Sequence, residues 1–292
     1  MVSRIRSLIR NDFVEMSVTG TATIIGGDGF VGRGLAGYLR STGWQCRIPA
    51  RSESWPQRGH QLGHIFYCAG LTADYLVRPA DTVEAHVSLL AQVLQSDAFE
   101  SLVYLSSTRL YDSVTVESSA SEGSSLCISP LNPRHFYDLT KLTGESICHT
   151  MGGGRARVAR LACVYDGPDD VAGFLPGILK RLVGVRRGDQ ISVASSPHFS
   201  RDYVHRSDVV VSLVDIAVRG TQPVYNVASG ENVSNSDLAA LIEARGGRKI
   251  FFELDNEPKQ PAVVDIQRLR NEFGLCPKTV DQQIGPWLDA LP

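Results

Sequence analysis

Thr21-Ala22-Thr23-Ile24-Ile25-Gly26-Gly27-Asp28-Gly29-Phe30-Val31-Gly32 decides how the rest of this chain reads. Residues 21–25 are β-branched and apolar, the signature of a buried strand. Gly27 to Gly32 satisfies GxGxxG, and Val31, Leu35, Tyr38 and Leu39 then recur at helical spacing. Strand, glycine turn and helix open a βαβ unit. Three glycines are needed there: one takes a tight turn, one lets the backbone approach a pyrophosphate, and one lets helix and strand pack closely. The free N–H groups and positive dipole end of the helix then face the phosphates. The flanking strand and helix are the context the motif requires, so the turn is read as a dinucleotide cradle formed by Gly26, Gly29, Phe30, Val31 and Gly32.

Outward from this turn, short apolar runs at 45–49, 65–68, 102–106 and 157–164 alternate with helical patterns at 82–94 and 137–149. Such alternation implies an α/β fold, a Rossmann-like doubly wound parallel sheet covered on both faces. The second half is more mixed, with strand-like 190–193, 223–228 and 250–254 and helix-like 208–219, 237–244 and 267–273. The expected organisation is an N-terminal extension (1–17), a dinucleotide-binding domain (18–165) and a smaller mixed α/β substrate-binding region (166–292). The strand and helix near 208–228 are expected to return to the first domain. Ile5, Leu8, Ile9 and Phe13 give the extension one amphipathic helical pattern, read as a packing helix. The Ser- and Glu-rich stretch 113–125 reads as a surface loop near the ligand edge of the sheet.

Composition narrows the function. The 292 residues carry 29 Lys plus Arg against 31 Asp plus Glu, a net charge of −2, so no strong positive field exists to hold nucleic acid or an anionic bilayer. The most apolar stretch, 209–218, is short of a membrane span and contains Asp215, and the first residues alternate arginines with apolar side chains rather than forming a signal peptide. The chain reads as soluble and unexported. Its six cysteines show no CxxC and no Cys/His cluster, which fits a reducing cytoplasm and no metal centre.

Only five of the 29 basic residues are lysines, so a lysine at a meaningful position says more than an arginine. Lys141 is one: Tyr137-Asp138-Leu139-Thr140-Lys141 places a phenol and an ammonium one helical turn apart on the same face. An ammonium near a phenol stabilises phenolate and turns tyrosine into a usable acid or base. The strand at 102–106 runs into the hydroxyls of Ser106 and Ser107, where the carboxyl edge of a sheet presents them to a ligand. The second strand ends in Ala50, Arg51 and Ser52 instead of the carboxylate that binds the ribose hydroxyls of NAD. A missing carboxylate beside a guanidinium favours a 2′-phosphate, hence NADP over NAD.

These residues resemble the extended short-chain dehydrogenase/reductases, the NAD-dependent epimerase/dehydratase group that acts on nucleotide sugars. Residues 26–32 are similar to that family's GGxGFxG turn, and Cys68-Ala69-Gly70 to the end of its fourth strand beside the cofactor. Residues 105–111 resemble SSxxVY, 160–168 resemble RxxNVYGP, 201–205 resemble RDYVHV and 225–230 resemble YNVGSG. The resemblance implies that Tyr137 is the acid/base, that Lys141 tunes it and binds the nicotinamide ribose, and that Ser107 hydrogen-bonds the reacting sugar oxygen. It implies Arg201 on a substrate diphosphate, Thr108 and Cys163 as further substrate-facing positions, and a homodimer through two helices of the first domain.

The chain also departs from the family pattern. Thr108 and Arg109 stand where family dehydratases carry an Asp-Glu pair, which argues against a 4,6-dehydratase. Cys163 replaces the usual Asn. His86 replaces a frequent Asn in its helix and is read as a satisfied histidine. Only 51–64 separates the second strand from 65–68, too little for a helix and a third strand, so a shortened sheet edge is expected. The expected activity is reduction of a nucleoside-diphosphate keto-sugar by NADPH. The alternatives are an epimerase with tightly held NAD and a non-catalytic dinucleotide sensor or scaffold.

Overall fold

The computed structural model describes residues 20–96, 98–114, 119–168 and 173–291. The 1–17 extension lies outside them, as do 115–118 of the expected 113–125 loop. β1 (Thr21–Ile25) serves two cores at once, because alternate side chains leave opposite faces: Ile24 packs on one side and Ile25 on the other. Phe66 and Tyr67 divide in the same way in β3 (Gly63–Tyr67), as do Val103 and Tyr104 in β4 (Phe99–Ser107). Strands buried on both faces belong to a parallel sheet. With β2 (Gln45–Arg47), β5 (Ala156–Leu161) and β9 (Val224–Val227), they form a six-stranded sheet, order β2-β1-β3-β4-β5-β9, with every pair parallel. This is the expected Rossmann-like architecture. Its edge is shortened as the sequence implies, since the outermost strand is β2, with three residues.

One face is covered by α1 (Phe30–Ser41) and α6 (Arg206–Arg219), through Leu35, Leu39, Val209, Leu213 and Ile216. The other face is covered by α4 (Phe136–Met151) and by the helical run α2 (Pro79–Val83), a π turn (Glu84–Ser88) and α3 (Leu89–Leu94). Periodicity shows this run as helix but not its π turn. Two buried tyrosines serve the turn, Tyr67 Oη donating to Ala85 O at 2.7 Å and Tyr104 Oη to His86 O at 3.3 Å.

The single run read at 157–164 is corrected: β5 ends at Leu161, and β6 (Cys163–Tyr165) belongs to a second sheet, β10-β8-β6, with β8 (Ser200–His205) and β10 (Asn232–Ser234). Ala162 N–H still donates to Val227 O at 3.0 Å, so the chain changes sheets immediately after it. The third core lies here, built on α5 (Phe174–Leu182), β7 (Gln190–Val193), α7 (Asn235–Leu241), β11 (Lys249–Phe252) and α9 (Val280–Asp289). Pro176 with Gly177, and Gly285 with Pro286, conceal α5 and α9 from a periodicity reading. The remaining helix, α8 (Gln267–Phe273), matches its sequence pattern and packs on β9.

A buried ion pair crosses the carboxyl end of the main sheet. Arg160 of β5 donates from Nε and Nη2 to the two oxygens of Glu145 in α4 at 3.0 and 2.7 Å, and Ser106 Oγ donates to the same carboxylate at 2.6 Å. Removing one partner of such a pair leaves an uncompensated buried charge. Glu145→Ala is therefore expected to lower unfolding free energy by about 3–5 kcal/mol, and Glu145→Gln by less, in urea titrations.

Candidate active site

The glycine turn has the geometry its motif requires. Gly26 takes φ +77°, and a Cβ there would lie 2.6 Å from Ala69 N, so the turn abuts the Cys68-Ala69-Gly70 segment after β3. A Cβ on Gly32 would lie 2.4 Å from Gly26 O, which is the close helix–strand approach. Gly29 caps the 12-residue α1 without a side-chain hydrogen bond, leaving the first helical N–H groups available to an anion. The residues thus fit a dinucleotide pyrophosphate. Phe30 and Val31 open the helix half-buried, and Arg206 of α6 lies 4.8 Å over the Phe30 ring.

Ile48, just past β2, packs over the turn where a Gly27 Cβ would meet it at 2.7 Å. The chain then bends, Glu53 N–H donating to Ala50 O at 3.0 Å, and exposes Arg51 and Ser52. Glu53, the nearest carboxylate in sequence, is ion-paired with Arg47.

Ser107 ends β4, and Tyr137 and Lys141 rise from the first turns of α4 beside it. The Ser107 hydroxyl lies close enough to the Tyr137 phenol to favour its ionised form, and it accepts from Arg109 N–H at 3.2 Å. Lys141 Nζ lies 5.9 Å from the Tyr137 ring centre and donates to Leu105 O at 2.8 Å. Burial pulls this ammonium down to about 7, against the opposing pull of Glu145 and Cys68. Burial pushes the Tyr137 phenol up, while Ser107, the Arg109 guanidinium and the Thr72 hydroxyl draw it back and Asp138 pushes it higher. The structure therefore brings the three residues singled out from sequence into one cluster.

Gly70 closes the same cluster, since a Cβ there would lie 3.1 Å from His86 Nε2 and 3.3 Å from Lys141 Nζ. Cys68 lies beside Lys141, its thiol pushed up to about 12 by burial. His86 is buried and satisfied: Leu71 N–H donates to Nε2 at 3.2 Å, and Nδ1 meets Thr140 Oγ1 at 2.9 Å. Thr140 spends its own proton on Tyr137 O at 2.8 Å, which assigns the hydrogen to Nδ1. Burial and Lys141 hold the ring's pKa at about 3, so it is neutral.

Sequence reasoning noticed Arg109 only as a break in an acidic pair, and it missed Thr72, Tyr75 and Asp138. Arg109 stacks between Tyr75 and Tyr137, 5.0 and 5.1 Å from the two ring centres, and pairs with the buried Asp138 at 3.4 Å. The Arg in the turn after a strand-end serine was the available signal.

Thr108 starts the short helical turn after Ser107 and is half-buried. Cys163 and Arg201 meet in the second sheet. Arg201 is sandwiched by Phe174 and Phe199, 5.1 and 4.4 Å from the ring centres; burial pushes the thiol of half-buried Cys163 up, and Arg201 draws it partly back. Its neighbour Asp202 is turned the other way, accepting from Ser229 N, Ser229 Oγ and Gly230 N, each at 2.8 Å. No cluster of three or more His, Cys, Asp or Glu among the described residues is placed to hold a metal, and no described helix is long and apolar enough to cross a membrane.

Residues 22–228 match the NAD dependent epimerase/dehydratase family, and the chain belongs to that family of enzymes. A curated relative, dTDP-4-dehydro-6-deoxy-D-allose reductase of a Streptomyces species, is 25% identical over 230 residues, spanning 73% of this chain and 69% of the relative. The solved structure of RMD from Pseudomonas aeruginosa complexed with NADPH superposes with a TM-score of 0.74 at 22% identity, covering 94% of this chain and 96% of that one. UDP-glucose 4-epimerase of Thermotoga maritima with UDP-glucose gives 0.72 at 18% identity, covering 93% and 97%. These two structural likenesses establish the fold.

Lys141 yields a signed prediction. Its folded pKa lies below its unfolded one, so between about pH 7 and 10.5 the unfolded chain binds the extra proton and stability from this group rises with pH. Below about 7 both states are protonated and the full cost of burying the charge is present. Lys141→Met is expected to be more stable than the parent by a few kcal/mol, of order the shift, at pH 7, with the gap closing toward pH 10 in thermal or urea unfolding.

Proposed function

We propose that this chain is an NADPH-dependent reductase of a nucleoside-diphosphate keto-sugar. The observation that carries the reading is the cluster at the end of β4: the Tyr137 phenol beside the Ser107 hydroxyl, with Lys141 one helical turn away, 5.9 Å from the phenol ring centre and next to the segment that abuts the glycine cradle. Gly26, Gly29 and Gly32 would admit the pyrophosphate, Arg51 and Ser52 would hold a 2′-phosphate, and Cys68, Ala69 and Gly70 would line the dinucleotide's path toward Lys141. The engagement of Glu53 with Arg47 supports NADPH, because the carboxylate nearest Arg51 in sequence is already paired with a cation. Arg201, held flat between two phenyl rings, suits a substrate diphosphate, with Cys163 beside it and Thr108 near the sugar.

When bound, the dihydronicotinamide supplies hydride to the sugar carbonyl carbon. Ser107 orients the carbonyl oxygen through its hydroxyl. Tyr137 donates its phenolic proton to that oxygen as negative charge develops there, leaving phenolate, and solvent restores the proton. Lys141 holds the nicotinamide ribose and keeps positive charge near the phenolate. The basic Arg109 directly after Thr108 leaves no acid pair to eliminate a sugar hydroxyl, which favours reduction over dehydration. A cytoplasmic homodimer belongs to the same reading.

The test starts with denaturing the purified protein and identifying any released nucleotide by mass. An empty site that then binds NADPH in preference to NADH supports the reductase. Stoichiometric NAD(H) carried through purification favours an epimerase instead, and binding of neither favours a sensor or scaffold. Arg51→Ala is expected to weaken NADPH while leaving NADH binding unchanged in fluorescence titrations. Tyr137→Phe is expected to lower keto-sugar reduction by about 10²- to 10⁴-fold with NADPH still bound.

A further inference from the structure

We propose that Arg109 is a positioning residue that supplies the fixed positive charge against which Tyr137 ionises, so that the tyrosine's acid strength is set by Arg109 as well as by Lys141. The proposal deepens the reading of Tyr137 as the proton donor and rests on it.

Each charged or titratable group facing Tyr137 has a defined state. From the π turn, His86 presents its ring edge-on at 5.5 Å, neutral and committed at both nitrogens to Leu71 and Thr140. From its own helix α4, Lys141 stands 5.9 Å from the ring centre with one proton given to Leu105 O, and burial draws its ammonium down to about 7, so near neutral pH it carries only part of a positive charge. Asp138, also on α4, is buried and negative, and works against a phenolate. From the segment after β3, Tyr75 lies 5.4 Å away ring to ring, and Thr72 contributes a hydroxyl. From the turn after β4 comes Arg109, 5.1 Å from the ring centre. A guanidinium keeps its proton at every pH the enzyme meets, which an ammonium in a dry pocket does not.

Arg109 is also held in place. Its Nη2 donates to Tyr75 Oη at 3.0 Å and to Arg134 O at 2.8 Å, its Nε lies 3.4 Å from Asp138 Oδ1, and its backbone N–H donates to Ser107 Oγ at 3.2 Å. Four anchors from four segments fix a cation against the face of the reacting tyrosine. The same placement partly offsets Asp138, whose carboxylate raises the phenol, and the backbone N–H of Arg109 ties the Ser107 hydroxyl to the same residue.

The test reads position 137 directly, using the full-length protein with 3,5-difluorotyrosine incorporated there and ¹⁹F NMR to follow ionisation against pH. Arg109→Met is expected to raise the midpoint by about one unit, a tenfold loss of acid strength. Arg109→Lys is expected to recover most of that shift. Tyr75→Phe, which removes one anchor and keeps the charge, is expected to shift the midpoint in the same direction by less. Because freed Asp138 also raises a phenol, the comparison is repeated in an Asp138→Asn background, where Arg109→Met must still raise the midpoint. An unchanged midpoint in Arg109→Met, or an Arg109→Lys midpoint displaced as far as Arg109→Met, overturns the proposal. If Arg109→Met fails to fold by circular dichroism, Arg109→Gln and Tyr75→Phe carry the same comparison. Full reductase activity in Tyr137→Phe would instead overturn the functional reading, and the NMR result would stand apart from it.

Discussion

Lys141 is buried, so its ammonium is desolvated, and much of the molecule around it follows from that constraint. A desolvated cation needs a partner, and it finds Leu105 O at the end of β4, which pins α4 to the sheet edge where Ser107 emerges. Glu145, one turn further along α4, lies near enough to raise the ammonium's pKa, but its two oxygens are already taken by Arg160 and Ser106. One carboxylate between two cations cannot fully neutralise both. Arg160 holds it bidentately, so the lysine is the group that yields charge. The line continues through Arg160 to Tyr111 Oη at 2.8 Å and from there to Asn226 Oδ1 at 2.8 Å, spanning β4, β5 and β9 at their carboxyl ends. The chemistry at Tyr137 and the closure of the sheet therefore share one polar network.

Features whose cause is local were legible in the sequence. The turn at residues 26–32 needs glycine because Gly26 and Gly32 have backbone where a Cβ would sit, a demand local enough to be written in seven residues. The Tyr137-Lys141 pair was legible for the same reason, being one helical turn. The break at Ala162 was not, because it depends on β9 and β8 competing for consecutive stretches of one apolar run. Nor was the π turn at Glu84–Ser88, which is served by tyrosines from β3 and β4 that lie far away in sequence. Helix α9 left a readable signal, the Thr279 and Gln282 capping box, which the internal Pro286 obscured. Arg109 was legible by place, in the turn after a strand-end serine, but not by role. Its role depends on Tyr75 and Arg134, respectively 34 and 25 residues away along the chain.

His86 shows why the π turn and the site belong together. An α-helix through Glu84–Ser88 would place position 86 differently relative to α4, because the wider turn inserts extra backbone. The wider turn leaves carbonyls at Ala85 and His86 for the hydroxyls of Tyr67 and Tyr104, and both phenols point up from the sheet to meet them. Gly144 completes the fit, since a Cβ there would lie 2.5 Å from Tyr104 Oη and 2.8 Å from His86 O. Held this way, the imidazole bridges the segment after β3 to α4, accepting from Leu71 and donating to Thr140, whose own proton returns to Tyr137 O. Protonation of His86 would oppose Leu71 N–H with a second donor and place a second cation beside Lys141. Both costs act in the direction that keeps the ring neutral, and a neutral ring with one donor and one acceptor is the only state that satisfies both neighbours. The dinucleotide segment at Gly70 and the backbone of Tyr137 are thereby fixed to one another through a single side chain, independently of the charges that tune the phenol.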